Sequence, residues 1–215
     1  MSMLLAESAL QALPVQVLES DLDEHAFEHA LASSVLAWDI ETTGLDWRTE
    51  RIGTVQIQVE GLAYVVRVDG HTPYHLKALM EDQAIRKILH HAMFDLRFMA
   101  YHWGATPANV ACTKIASKLA DPALPCKEHS LAPLVLRHLG VTLNKGPQVS
   151  DWTGELSPTQ LQYAANDVRH LSRLYEALDE QLRHKELRGL RDRCYAHLPT
   201  QVELEIGGFP DVFAY

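Results

Sequence analysis

Apolar residues along this chain follow two different periods, and the change between them divides the sequence. Residues 14–19 (PVQVLE), 35–40 (VLAWDI), 52–59 (IGTVQIQV) and 62–68 (LAYVVRV) are short apolar runs bounded by turn residues, as strands are. Alternation within 52–59 places Ile52, Thr54, Gln56 and Gln58 on one face. Between the first two runs, SDLDEHAFEHALAS reads as a helix. Ser20 or Asp21 is its N-cap, acids fill its first turn, and Phe27, Ala30 and Leu31 keep helical spacing. The short connections among the last three strands predict an antiparallel meander. From residue 73 the spacing turns helical, over about 74–87, 94–103, 112–120, 129–139 and 158–184, with a further short strand at Ile88–His91. Strands first, then mostly helices, predict an α/β domain: a mixed central β-sheet flanked by α-helices.

No linker-like segment or repeat interrupts the 215 residues. The expected organisation is a single domain, with a core over about 14–184 and a C-terminal helix and tail over about 185–215. The ending, HLPTQVELEIGGFPDVFAY, is apolar and aromatic. It is expected to pack on its own domain or on a neighbouring subunit.

Composition narrows the classes. Apolar residues make up 47% and charged residues 22%. No apolar run approaches the roughly 20 residues a membrane helix needs, so no membrane partner is expected. The N-terminus carries no positive region of the kind a secretory signal has. Cys112, Cys126 and Cys194 lack CxxC spacing, which argues against a disulfide framework or a cysteine zinc site and fits a cytoplasmic location. None of the 12 histidines has HExxH spacing, so no zinc centre is assigned. The net charge of −9 disfavours a protein that coats long nucleic acid, because such affinity comes largely from phosphate neutralisation. Either nucleic acid is not the partner, or it is short, or acids are concentrated where cations sit.

Three segments supply such acids. In LAWDIETTGLDW, Asp39 and Glu41 end a buried strand two positions apart and so share a face, while Trp38 and Ile40 take the other. In HHAMFDLRFM, Asp95 falls in the first turn of a helix that begins near Phe94, among apolar neighbours. In LSPTQLQYAANDVRHLSRLYEAL, Ser157 caps a helix, Pro158 takes its first position, and Tyr163 and Asp167 stand one turn apart beside an apolar stripe. Each segment alone also reads as ordinary structure: a solvated strand end, a dipole-complementing acid, a tyrosine–carboxylate hydrogen bond. Together, four acids without basic partners call for about two divalent cations, and their oxygen donors select Mg²⁺ or Mn²⁺. Two such ions about 3.5–4 Å apart are what in-line attack on a phosphodiester uses.

DIETTGLD, HHAMFDLRFM and YAAND, in that order, resemble the three exonuclease motifs of the DEDD superfamily in its tyrosine-bearing branch, which includes ribonuclease D. The likeness covers most of residues 35–184. ACTKIASKL, KGPQVSDW and the C-terminal ending look like the small stand-alone relatives called nano-RNase C. The resemblance implies a ribonuclease H-like fold and two-metal 3′–5′ hydrolysis of short single-stranded RNA, dinucleotides especially, to nucleoside 5′-monophosphates. It also implies a homo-oligomer. By the motif match, Asp39, Glu41, Asp95 and Asp167 would ligate metal and Tyr163 would orient the attacking water. A phenol, with an ordinary pKa near 10, is a poor base at neutral pH, so its expected role is positioning.

Further residues carry open readings. Leu45, by resemblance, would wedge between the last two bases, or it covers the core. His91 stands where many relatives carry Asn, and contacts the 3′-terminal sugar only if it takes over that role. Lys145 and Gln148 lie on a polar loop where Lys145 could hold a phosphate or be solvated. Trp152 could stack on a base or cap the core. Lys114 is a further candidate. Two alternatives stand beside the main expectation: the same chemistry on DNA or longer RNA, and a catalytically inactive nucleic-acid-binding module.

Overall fold

The structure is a computed structural model that describes residues 13–68, 70–143, 152–209 and 211–214. Its elements are β1 (Val15–Glu19), α1 (Glu24–Ala32), β2 (Val35–Thr42), β3 (Ile52–Val59), β4 (Leu62–Arg67), α2 (Tyr74–Glu81), β5 (Arg86–Leu89), α3 (Met93–Trp103), β6 (Val110–Cys112), α4 (Thr113–Ala120), α5 (Leu131–Leu139), α6 (Pro158–Arg169), α7 (Leu171–His184) and α8 (Arg188–Ile206). A 3₁₀ turn, Cys126–His129, precedes α5.

Six strands form one mixed sheet in the order β1-β4-β3-β2-β5-β6. The expected meander is its centre: β2, β3 and β4 pair antiparallel. β1 adds parallel to β4 on one side, and β5 and β6 add parallel to β2 on the other. Both faces of the centre are covered. α6 lies across β2, β3 and β4, while Trp38, Ile40, Ile57 and Tyr64 enter the main core on the opposite face. Double coverage explains why Thr54 and Gln56 are fully buried despite being polar. Leu134, Val135, Leu174, Leu178 and Leu182 form a second core that joins α4 and α5 to α7.

Several local expectations need correction. The helix over 74–87 stops at Glu81, and Arg86–Leu89 is a strand whose Lys87 is buried with its ammonium donating to the Asp82 carbonyl. β6 is only three residues long and merges in sequence with the start of α4. The helix over 158–184 breaks at His170 into α6 and α7. The N-cap of α1 is Asp23, which accepts from the Ala26 amide at 2.8 Å. Asp21 instead accepts from the His75 and Leu76 amides at 2.7 and 3.1 Å, so it caps α2 from a distant segment. At the other end, α8 absorbs residues up to Ile206. Beyond it Phe209, Val212 and Phe213 are exposed, with the Phe213 ring 5.7 Å from that of His197 on α8.

Candidate active site

Register builds the site. Asp39 pairs with Gln56, and Glu41 with Thr54, across β2 and β3; Gln56 pairs in turn with Val65 of β4. Directly opposed residues share a face. This face therefore carries Asp39 and Glu41 at one end and Val65 further along, and α6 packs over it through Leu161, Tyr163 and Ala164. The pairing shifts between Glu41 and Thr42. There the chain turns, with the Thr42 hydroxyl donating to the Gly44 carbonyl at 2.6 Å.

A capping box fixes the start of α6. The Gln160 amide donates to the Ser157 hydroxyl at 3.3 Å, and the Ser157 amide to Gln160 Oε1 at 3.0 Å. From there helical geometry sets Tyr163 and Asp167 one turn apart, over the ends of β2 and β3. Carboxylate oxygens of Asp39, Glu41 and Asp167 lie within 4.8 Å of one another. Asp95 stands behind them in the first turn of α3. It is 3% exposed and accepts from the Ile40 amide, between the two β2 acids, at 3.2 Å. Three of the four predicted acids thus converge, and the fourth is tied to the strand that carries two of them.

The electrostatics follow from that crowding. Burial, then the charges of Asp95, Asp167 and Glu41, hold the Asp39 carboxyl well above the usual carboxylate range. Burial and the charges of Asp167 and Asp95 push Glu41 up to about 8. Burial pushes Asp95 to about 8 as well. Burial raises Asp167 to about 6, restrained by its hydrogen bond with Tyr163. Among the described residues no lysine or arginine ion-pairs with these acids; Arg97 pairs with Glu205 at 3.0 Å. Clustered hard oxygen donors with no ion-paired lysine or arginine among the described residues fit a divalent ion such as Mg²⁺.

Asp39 and Asp167 line a cleft of about 620 Å³ together with Tyr163, His91, Lys114, Lys127, Glu128 and residues 130–133. His91 is exposed there with a left-handed backbone (φ 63°). Its neighbour His90 is pushed down to about 3 by burial and by Lys114, and its Nδ1 lies 2.9 Å from the Thr113 hydroxyl. Leu45 is 83% exposed on the loop after β2, so it does not cover the core. Trp152 is a correction. At 1% exposure it cannot meet a base. It packs on the backbone of β3 at Gly53, where an added Cβ would fall 2.7 Å from Trp152 Cβ, and its ring sits 6.1 Å from that of Tyr163. Lys145 and Gln148 lie outside the described residues. The wall formed by Lys127, Glu128 and Ser130 was missed, because no motif or spacing marks it.

A family of 3′–5′ exonuclease domains matches residues 14–183. The chain belongs to this 3′–5′ exonuclease family. Among relatives, it is 33% identical to DNA polymerase I of Aquifex aeolicus over 83% of its own length and 32% of the polymerase. It is 33% identical to ribonuclease D of Gluconacetobacter diazotrophicus over 59% of its length and 33% of that protein. The chain thus spans about a third of the length of these curated relatives. Among solved structures, Brucella melitensis NrnC bound to pGG superposes with a TM-score of 0.87 at 34% identity, covering 94% of this chain and 99% of NrnC. NrnC has also been solved with bound Mg²⁺, at a TM-score of 0.85 and 33% identity, covering 94% of this chain and 99% of that one. The exonuclease domain here is of the ribonuclease D and NrnC type, with the ribonuclease H-like fold.

Proposed function

We propose that this chain is a metal-dependent 3′–5′ exoribonuclease that hydrolyses dinucleotides and short single-stranded RNA to nucleoside 5′-monophosphates. The observation that carries the reading is the convergence of Asp39, Glu41 and Asp167 within 4.8 Å, with Asp39 and Asp167 lining a cleft. The formal charge of −9 argues for a short substrate, since no large basic excess is available to track a long backbone. The pGG complex of NrnC supports the same substrate class.

Asp39, Glu41, Asp95 and Asp167 would hold two divalent ions, Mg²⁺ or Mn²⁺. When bound, these supply charge neutralisation and Lewis acidity at the scissile phosphate. The protein's own groups do the rest. Tyr163, hydrogen-bonded to Asp167, orients the attacking water. Lys114, which lines the same cleft, attracts the anionic substrate. In this reading the exposed Leu45 contacts a base, and His91, which lines the cleft, contacts the terminal sugar. The reading further includes a single exonuclease domain, a cytoplasmic location and a homo-oligomer. Among the described residues no helix is long and apolar enough to cross a membrane.

The test is hydrolysis of labelled diribonucleotide, RNA heptamer and DNA duplex with Mg²⁺ or Mn²⁺, with and without EDTA. Mononucleotide release fastest from the diribonucleotide and stopped by EDTA is expected; no release overturns the reading. The likeness to a DNA polymerase favours one second reading, a DNA substrate, which the duplex arm would reveal. An inactive binding module would give binding without release, although Asp39, Glu41, Asp95, Tyr163 and Asp167 are all present.

A further inference from the structure

The cleft has two walls of different origin. One is the carboxylate face of β2 and α6. The other is the segment before and at the start of α5, where Lys127, Glu128 and Ser130 line the cleft. His129 sits in the middle of that run but is buried, at 3% exposure, with Nδ1 2.7 Å from Ser117 Oγ. Ser117 is itself 2% exposed and lies one turn after Lys114 on α4. Burying two polar side chains is unfavourable unless each satisfies the other. Within the turn the Glu128 amide donates to the Pro125 carbonyl at 2.9 Å and the Ser130 amide to the Lys127 carbonyl at 3.3 Å, bonds that shape it without reaching α4. The turn's N-cap, Pro125, offers no side-chain bond. The Glu128–Arg137 pair, at 3.5 Å, is partly exposed and contributes little. α4, by contrast, is locked into the second core beside α7.

We propose that His129, through Ser117, is a positioning residue for substrate binding. It ties the Lys127–Ser130 wall to α4, so that this wall and Lys114 stand at a fixed distance from the carboxylates. His129 touches no substrate; it sets the width of the cleft. This rests on the exonuclease reading for its kinetic test only.

Steady-state kinetics on a labelled diribonucleotide would compare the wild type with His129→Ala, His129→Asn, His129→Gln and Ser117→Ala, with thermal unfolding measured alongside. Asparagine places its amide where Nδ1 stands and can restore the bond; glutamine reaches the Nε2 position and cannot. Loss of one buried hydrogen bond predicts a KM about tenfold higher for the alanine and glutamine variants, with kcat within about threefold. His129→Asn is expected within about threefold of the wild-type KM. Equal behaviour of Asn and Gln, or variants with a lower Tm and an unchanged KM, would overturn the proposal. If His129→Ala does not fold, Ser117→Ala, which removes one oxygen, carries the comparison. If the wild type releases no mononucleotide, the exonuclease reading fails instead. Calorimetric affinity for guanosine 5′-monophosphate then tests the tie: the same ranking supports it and equal affinities overturn it.

Discussion

Glu41→Gln is the sharpest perturbation of the carboxylate cluster, because it removes one charge and keeps the shape. Glu41 has an ordinary pKa of 4.5 and is pushed up to about 8 in the folded chain, by burial and then by Asp167 and Asp95. The sign follows from linkage. A carboxyl raised on folding binds more protons in the native state than in the unfolded state between those two values. Stability therefore falls as pH rises through that window. Below about 4.5 the cost is absent, and above about 8 it is complete. For an isolated group the difference corresponds to roughly 5 kcal/mol at about 1.4 kcal/mol per pH unit. Glu41 is only partly buried and shares protons with its neighbours, which brings the expected effect to on the order of 2 kcal/mol.

Thermal unfolding in EDTA should therefore show Glu41→Gln melting about 4–8 °C above the wild type at pH 8, at roughly 2–4 °C per kcal/mol for a chain of this size. The gap should shrink toward zero by pH 5. Saturating Mg²⁺ should reverse the order, because the wild type offers one more anionic oxygen and gains more from the ion. A variant that melts at or below the wild type in EDTA at pH 8, or a gap that does not change with pH, would refute the account of crowded, uncompensated charge.

Asp167→Asn should reduce hydrolysis more than about a thousandfold while the chain remains folded, as read by product release and circular dichroism. Tyr163→Phe should lower kcat about ten- to a hundredfold with KM nearly unchanged, as expected of a residue that orients water. Gly53→Ala should destabilise by about 1–3 kcal/mol, because its Cβ would meet the Trp152 backbone carbonyl at 2.8 Å and backbone cannot move aside. Asp21→Ala should cost about 1–2 kcal/mol, more than Asp23→Ala, since Asp21 accepts from two amides of α2 and Asp23 from one of α1; chemical denaturation of both variants checks the ranking.

The parts of this fold legible in the sequence are those whose determinants are local. The meander shows because each strand has its own apolar run and short connection. The capping box of α6 shows because Ser157, Pro158 and Gln160 are adjacent. What escaped depends on distant partners. Lys87 disguises β5, since nothing local reveals that its ammonium reaches the Asp82 carbonyl inside the fold. Asp21 looks like the cap of the helix it precedes, yet serves one more than 50 residues away. Trp152 looks like a stacking platform, and only the glycine opposite it on β3 shows why it is buried. The cleft wall at 127–130 escaped for the same reason: its anchor is a serine on another helix.

The acids themselves sit at the meeting of both kinds of information. That Asp39 and Glu41 share a face is a local fact of strand geometry. That this face is the one under α6 is not local: it follows from pairing Asp39 with Gln56 and Gln56 with Val65, and a slip of one residue would turn both acids into the apolar core against α3. The core on the far side, with Trp38 and Ile40 fully or nearly buried, is what forbids that slip. Burial of apolar groups on one face thus holds mutually repelling carboxylates on the other. The crowding that makes the cluster costly is also what would favour a divalent ion there, so the stability gained by Glu41→Gln in EDTA and that gained by the wild type in Mg²⁺ are two measurements of one arrangement.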